Sequence, residues 1–142
     1  MILPVVSYGS LLHLNPTRCQ RTKLTSFHNR AVKIADNSNQ HSNEMPSPFG
    51  ISVTKSCALV RRCLDVNVCS NFINYFEMLQ HSKSTRNCGY LLRLPKIRLE
   101  YCRGSFYYMG AKLYNELPIT IRKTESYDEF KEQLKAYAIA NF

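Results

Sequence analysis

The positively charged side chains of this chain have the types and the spacing that suit the binding of a polyanion. The chain has 142 residues, of which 19 are Lys or Arg and 10 are Asp or Glu, giving a formal net charge of +9. Residues 18–33 contain five cations and no acid, and residues 83–123 contain nine cations and two acids. Such tracts favour nucleic acid as the partner. Charge alone equally allows a solvated surface that only keeps the protein soluble.

The spacing of Lys96 and Arg98 is the most specific feature of these tracts. The two cations alternate with apolar residues, so on a strand they would share one exposed face and follow successive phosphates without reading base sequence. An edge strand whose charges discourage aggregation has the same pattern. The candidate nucleic-acid-binding residues are Arg18, Arg30, Lys33, Lys83, Arg86, Arg93, Lys96, Arg98, Arg103 and Lys112.

Catalytic and metal-binding patterns are missing from the sequence. Asp36, Asp65 and Asp128 stand apart, whereas nucleotide polymerisation needs two adjacent aspartates and a third to hold divalent metals. The four histidines are widely separated, and no G-x-S-x-G, H-E-x-x-H or glycine-rich phosphate loop occurs. We therefore expect a non-enzyme with no catalytic residue, metal, cofactor or small-molecule substrate.

The six cysteines show no metal-ligand or disulfide spacing. Cys57, Cys63 and Cys69 lie six residues apart, which on a helix turns each thiol about 240° from the previous one. We expect reduced thiols that pack as small apolar residues, and hence an intracellular location, nuclear or cytoplasmic. The sequence has neither a secretory signal nor an apolar run long enough to span a membrane, so we expect no membrane partner. The acid-free, Arg- and Ser-rich beginning of the chain also has the composition of a mitochondrial transit peptide.

Helices are the elements predicted to position the first basic tract. Asn15 and Pro16 predict the start of a helix over 17–35, with Arg18, Arg30 and Lys33 on its outer face. Its apolar stripe is predicted to contain Leu24, Phe27, Ala31 and Ile34. Residues 37–52 are rich in Asn, Ser, Gln, His and Pro and predict a linker. Two short helices are predicted to follow, over 53–66 and 71–79.

The second basic tract precedes two further predicted helices. Residues 96–101 alternate polar and apolar residues and predict a strand. A helix then runs from Ser105 to Pro118, in which Gly110 indicates close approach of another backbone and Asn115 is placed to bind a neighbouring main chain. Its S-F-Y-Y-M-G sequence is suited to packing or to stacking bases. The last helix begins with a capping box at Ser126 and is predicted to have one apolar stripe: Phe130, Leu134 and Tyr137.

Residues 85–137 contain a series of motifs, TRNCGYLLRLPKIRLEYCRGSFYYMGAKLYNELPITIRKTESYDEFKEQLKAY. They resemble the closing stretch of reverse transcriptases of non-LTR (LINE-type) retrotransposons of the Jockey and CR1 kind. That pattern has a TR-rich run, L-x-x-P-x-x-R, S-F-x-x-x-G-x-K-L-W/Y-N-x-L-P and S-x-x-x-F-K-x-x-L-K in this order. Residues 2–10 and 27–34 are similar to the thumb of the same enzymes, and 59–64 to the following L-V-x-K-C-L.

The resemblance implies a mainly α fold, a small bundle of thumb-like and C-terminal helices, with a short basic β-strand or hairpin around 90–102. It divides the chain into a thumb-like segment (1–36), a linker (37–52) and a C-terminal region (53–142). Because Met1 falls inside the thumb-like block, we expect the chain to begin downstream of the catalytic palm.

The implied function is that of a non-catalytic fragment of an RNA-directed DNA polymerase from a transposable element. Its basic surfaces are expected to contact template-primer or element RNA through the nucleic-acid backbone, without sequence specificity. The alternative is a small helical protein-interaction module, derived from a retroelement, with no nucleic-acid role.

Overall fold

The computed structural model describes residues 16–35, 47–65, 75–79 and 90–142. Of these, 73% are helical and none belongs to a strand, which confirms the prediction of a mainly α fold and a small helical bundle. The elements are α1 (Arg18–Ala35), α2 (Pro48–Leu64), a 3-10 helix (Glu100–Gly104), α3 (Phe106–Glu116), α4 (Ile119–Arg122) and α5 (Tyr127–Asn141).

Helix α2 lies at the centre of the bundle, because it packs against both α3 and α5. Its Cys57 and Val60 are completely buried, as are Tyr114 of α3 and Phe130 of α5. The buried side chains of these three helices and of Leu92 form one hydrophobic cluster. Cys57 and Cys63 belong to it, which confirms that these two thiols pack as small apolar residues, but the prediction is wrong for Cys19 and Cys102, which are exposed.

The start of α2 corrects the predicted linker. The Ser47 hydroxyl accepts a hydrogen bond of 3.1 Å from the Gly50 N–H, and Pro48 occupies the first turn. Pro is favoured there because the first N–H groups of a helix have no partner within it. Pro48 and Gly50 therefore lie in the first turn of a helix, and the linker prediction is wrong from Pro48 onward. Residues 37–46 lie outside the described part of the chain.

Helix α1 begins with a capping box at Thr17, two residues after the predicted cap. The Thr17 side chain accepts from the Gln20 N–H at 3.4 Å, and the Gln20 side chain accepts from the Thr17 N–H at 3.0 Å. The predicted cap, Asn15, lies outside the described residues. This helix rests on the rest of the bundle partly through Arg21, whose guanidinium carbon is 3.8 Å from the centre of the Phe49 ring on α2.

The predicted apolar stripe of α1 is only partly buried. Ala31 is buried and Leu24 is half-buried, but Phe27 is 59% exposed and Ile34 is 81% exposed. His28 is buried in their place. The face in contact with the bundle is thus turned toward His28, because α1 is positioned by its contacts with α2 and not by its own hydrophobic pattern alone.

The predicted helix over 71–79 is wrong where the structure describes it, over 75–79. Met78 instead forms an antiparallel bridge with Leu92. The Leu79 N–H donates to the Leu91 carbonyl, and the Arg93 N–H donates to the Glu77 carbonyl, both at 2.8 Å. Residues 71–74 lie outside the described part.

The predicted strand over 96–101 is also wrong. The antiparallel bridge at Leu92 precedes these residues. The 3-10 helix overlaps them, and its Cys102 N–H donates to the Leu99 carbonyl. A strand needs a second main chain alongside it. No other described main chain pairs with residues 94–98, so the alternating pattern does not produce a strand there.

Helices α3 and α5 begin directly after the predicted residues Ser105 and Ser126, and the predicted apolar stripe of α5 faces the core. Phe130 and Leu134 are buried and Tyr137 is half-buried. Ser105 and Ser126 stand at the N-cap positions, but neither side chain makes a capping hydrogen bond, so the predicted capping box bonds are not formed. Gly110 is approached by a side chain, not by a backbone: a Cβ there would lie 3.0 Å from Cγ2 of Val60.

Candidate nucleic-acid interface

The second basic tract is anchored by the main chain of residues 90–93, which we call the tethered segment. Residues 77–79 hold its Leu91 carbonyl and its Arg93 N–H on one side. On the other side, the Asn115 side chain accepts from the Leu92 N–H at 2.8 Å and donates to the Leu92 carbonyl at 2.9 Å. The predicted binding of a neighbouring main chain by Asn115 is therefore confirmed.

Arg122 is a second tether and was not among the candidate residues. It is only 6% exposed, and its guanidinium donates to the Leu117 carbonyl at 3.0 Å and to the Tyr90 carbonyl at 3.1 Å. A buried guanidinium needs such partners because an unpaired buried charge is very costly. In the sequence, Arg122 belongs to the second basic tract, and no local pattern distinguishes it from its exposed neighbour Lys123.

Residues 94–98, which we call the basic segment, leave the tethered segment and lie on the surface. No main-chain hydrogen bond involves them within the part of the chain that the structure describes. Lys96 and Arg98 are exposed, whereas Pro95, which precedes them, and Ile97, which lies between them, are half-buried. The two cations therefore do point to solvent at a two-residue spacing, although on an irregular segment and not on a strand.

Three of the candidate cations are compensated by nearby carboxylates. The nitrogen-to-oxygen distances are 3.3 Å for Arg93 with Glu77, 3.0 Å for Arg103 with Glu100, and 4.0 Å for Lys112 with Glu116. These pairs are exposed, so each contributes at most about 1 kcal/mol and a phosphate can displace the carboxylate. Their net attraction for a polyanion is nevertheless weaker than that of an uncompensated cation.

Five other candidates are exposed and form no ion pair within the described residues: Arg18, Arg30, Lys33, Lys96 and Arg98. The first three lie along α1, and the last two lie in the basic segment. Lys83 and Arg86 fall outside the part of the chain that the structure describes. The candidate set is thus divided between two elements, and Lys96 with Arg98 is the uncompensated pair of the basic segment.

Arg61 and Arg62 are further cations that the candidate set omitted, and both serve packing. Arg61 donates to the Thr124 carbonyl at 2.8 Å and so ties α2 to the connection between α4 and α5. The Arg62 guanidinium lies 5.1 Å from the Tyr127 ring centre. Both line a cavity of about 410 Å³ that also has two acids, Asp65 and Glu125, on its wall. The acids make this cavity a poor anion site.

Buried titratable groups occur in the core, away from the basic segment. Burial raises the pKa of the Cys57 thiol to about 12, with a smaller contribution from Glu116. Burial also raises the pKa of the Tyr114 phenol, while the Arg61 guanidinium is close enough to oppose that increase. The Tyr114 hydroxyl nevertheless forms no hydrogen bond of acceptable geometry with its described surroundings. These shifts follow from packing and give no sign of a reactive group.

Among the described residues, no group of three or more His, Cys, Asp or Glu side chains is arranged to hold a metal ion. None of the helices in this part of the chain has the combined length and apolar character needed to cross a bilayer. Comparisons of the chain with family models, with curated proteins and with solved structures found no match.

Proposed function

We propose that this chain is a non-catalytic part of a non-LTR retrotransposon reverse transcriptase and contacts a nucleic-acid backbone through its basic segment. The observation that carries the nucleic-acid role is the exposed, uncompensated pair Lys96 and Arg98, supported on a main chain that Asn115 and Arg122 fix to the core. A cationic side chain whose main chain is held in place loses less conformational entropy when it binds a phosphate. An intracellular location is part of this proposal, since the buried cysteines are thiols.

The packing of α3 supports the proposed family. Its sequence was identified by the pattern S-F-x-x-x-G-x-K-L-W/Y-N-x-L-P, and most of the apolar and small positions of that pattern have a structural role here. Leu113, Tyr114 and Leu117 are buried, Gly110 admits the Val60 side chain, and Asn115 holds Leu92. The support is that these motif positions make the contacts that hold α3 in this bundle.

Salt dependence tests the nucleic-acid role. Binding that neutralises phosphates releases counterions, so the affinity for a duplex should fall steeply between about 50 and 200 mM salt. A gel-shift or anisotropy titration with RNA, DNA and hybrid duplexes at low and high salt measures this fall. Weak affinity at every salt concentration would contradict the proposal.

A double substitution locates the contact. Lys96→Gln with Arg98→Gln should weaken binding to all duplexes alike and should reduce the slope of log affinity against log salt by about 2, about 0.9 per phosphate. The control is Lys131→Gln with Lys135→Gln on α5, which removes the same charge from two other exposed lysines. Equal losses in the two double variants would show that only the net charge matters.

A protein-interaction module is the second candidate function, and the exposed side chains of Phe27 and Ile34 favour it. These two residues lie on one side of α1 beside Lys23 and Arg30, so an apolar strip with a basic margin is open to solvent. Under this alternative, Phe27→Ser with Ile34→Ser would abolish binding of a protein partner. The duplex affinity of the same variant would be low and nearly independent of salt, as in the unsubstituted chain.

A further inference from the structure

A cavity of about 390 Å³ lies beside the basic segment and combines a tyrosine ring, apolar walls and charged groups. It is lined by Glu77, Arg93, Leu94, Pro95, Lys96 and Tyr107. Lys96, one of the two uncompensated cations of the proposed interface, thus faces the same space as an aromatic ring.

The Tyr107 ring is held in place by other aromatic side chains. Its centre is 4.7 Å from that of Tyr75, with the rings inclined at 63°, and 5.9 Å from that of Phe76. Phe76 is in turn buried and packs edge-on against Phe106 at 5.8 Å. Tyr107 nevertheless remains 36% exposed. The Tyr107 ring is therefore restrained by its neighbours, keeps part of its surface exposed and lines the cavity.

The charges around the cavity favour an anionic ligand. Among the described residues on its wall, Glu77 alone carries a carboxylate, and it is 3.3 Å from the Arg93 guanidinium, so these two charges largely offset each other. Lys96 remains as the uncompensated charge. Leu94 and Pro95 supply apolar surface beside the ring. A planar apolar group linked to a phosphate, which is the chemistry of a nucleotide, matches this set.

We propose that this cavity binds one unpaired nucleotide, with its base stacked on Tyr107 and its phosphate at Lys96. The inference rests on the proposed function, and it specifies single-stranded nucleic acid, or a single-stranded end of a duplex, as the ligand of this site. A duplex interior cannot occupy the cavity because its bases are already stacked on one another. Stacking on an aromatic ring accepts any base, which agrees with contacts that carry no sequence information.

The absence of tryptophan from the chain allows a direct test. Tyr107→Trp places a single indole in the cavity, and its fluorescence reports contact with a base. Single-stranded oligouridylate should quench this fluorescence, whereas an abasic strand of the same length and charge should bind without quenching. Tyr101→Trp is the matched control, because Tyr101 is 93% exposed and does not line the cavity.

Affinity measurements provide the second readout. Tyr107→Ala should lower affinity for the single strand by about 5- to 150-fold, the range expected for one base stacked on an aromatic ring. It should leave affinity for a blunt duplex unchanged within about twofold, and Tyr107→Phe should retain single-strand binding because the ring is kept. Circular dichroism of each variant checks that the helices are intact.

The outcomes separate the two proposals. Quenching at position 107 by bases but not by the abasic strand supports stacking in the cavity. Salt-dependent binding with no quenching, or an equal loss of affinity in Tyr107→Ala and Tyr101→Ala, overturns the stacking proposal and leaves the backbone contacts standing. Absence of binding to every strand and duplex overturns both.

Discussion

Replacement of Asn115 by alanine tests how the basic segment is attached to the bundle. The Asn115 amide makes two hydrogen bonds to the main chain of Leu92, at 2.8 and 2.9 Å, and Leu92 is completely buried. Alanine removes both bonds and leaves a buried N–H and a buried carbonyl without partners. Since a buried polar group that loses its partner costs about 1–3 kcal/mol, we expect the free energy of unfolding to fall by about 2–3 kcal/mol.

Urea unfolding followed by far-ultraviolet circular dichroism measures this loss. Asn141→Ala is the matched control: the Asn141 amide also donates to a carbonyl, that of Tyr137 at 2.8 Å, but both groups lie at the exposed end of α5. We expect this control to change stability by less than about 0.5 kcal/mol. Hydrogen exchange adds a local readout, because the Leu92 amide should lose protection in Asn115→Ala and keep it in Asn141→Ala.

Asn115→Asp distinguishes the two hydrogen bonds. The carboxylate still accepts from the Leu92 N–H, but it cannot donate to the Leu92 carbonyl and is repelled by it. A protonated carboxyl can donate, so folding should raise the pKa of this side chain and its stabilising contribution should be lost as pH rises through that value. The reasoning is refuted if Asn115→Ala matches Asn141→Ala in stability and the Leu92 amide stays protected.

Two further substitutions and one chemical modification test buried groups. Arg122→Met should lower the unfolding free energy by about 2–4 kcal/mol, because the buried Leu117 carbonyl and the partly buried Tyr90 carbonyl lose a charged donor, whereas Lys123→Met should cost under about 1 kcal/mol in the same urea titration. Tyr114→Phe should raise thermal stability by about 1 kcal/mol because it removes a buried hydroxyl that has no hydrogen bond; an equal decrease would reveal a bond to a guanidinium. Cys57 should be alkylated at least about a hundredfold more slowly than exposed Cys102 at pH 8, as mapped by mass spectrometry. Because its folded pKa of about 12 exceeds the unfolded value of 9.0, the protonated thiol stabilises the fold below pH 9.0, and this contribution is lost toward pH 12.

Local sequence patterns correctly predict a helix when its own apolar side chains determine which face is buried, as in α5. The apolar positions of α5 place Phe130 and Leu134 in the core as expected. The start of α2 is not predicted because the composition of residues 37–52 indicates a linker, although a Ser before a Pro is also a typical helix start. Whether a proline ends or begins a helix depends on its position, and the polar residues before Pro48 indicate a loop.

Contacts between distant segments account for the remaining differences. The alternating residues around Lys96 resemble a strand, but nothing in them specifies whether a partner main chain is available. The exposure of Phe27 is likewise decided by where α1 meets α2. Among the cations, the sequence gives type and spacing, but only the fold shows that Glu77 compensates Arg93 and that Arg122 is buried.

The tethers on residues 90–93 have a consequence for how this surface can change during evolution. Asn115, Arg122 and residues 77–79 all form hydrogen bonds with main-chain atoms of this segment. Every amino acid supplies these atoms, except that proline lacks the N–H. The exposed side chains that follow, those of Lys96 and Arg98, can therefore be exchanged with little effect on the scaffold. Mutation can strengthen, reverse or erase the charge of this surface while the bundle beneath it stays the same.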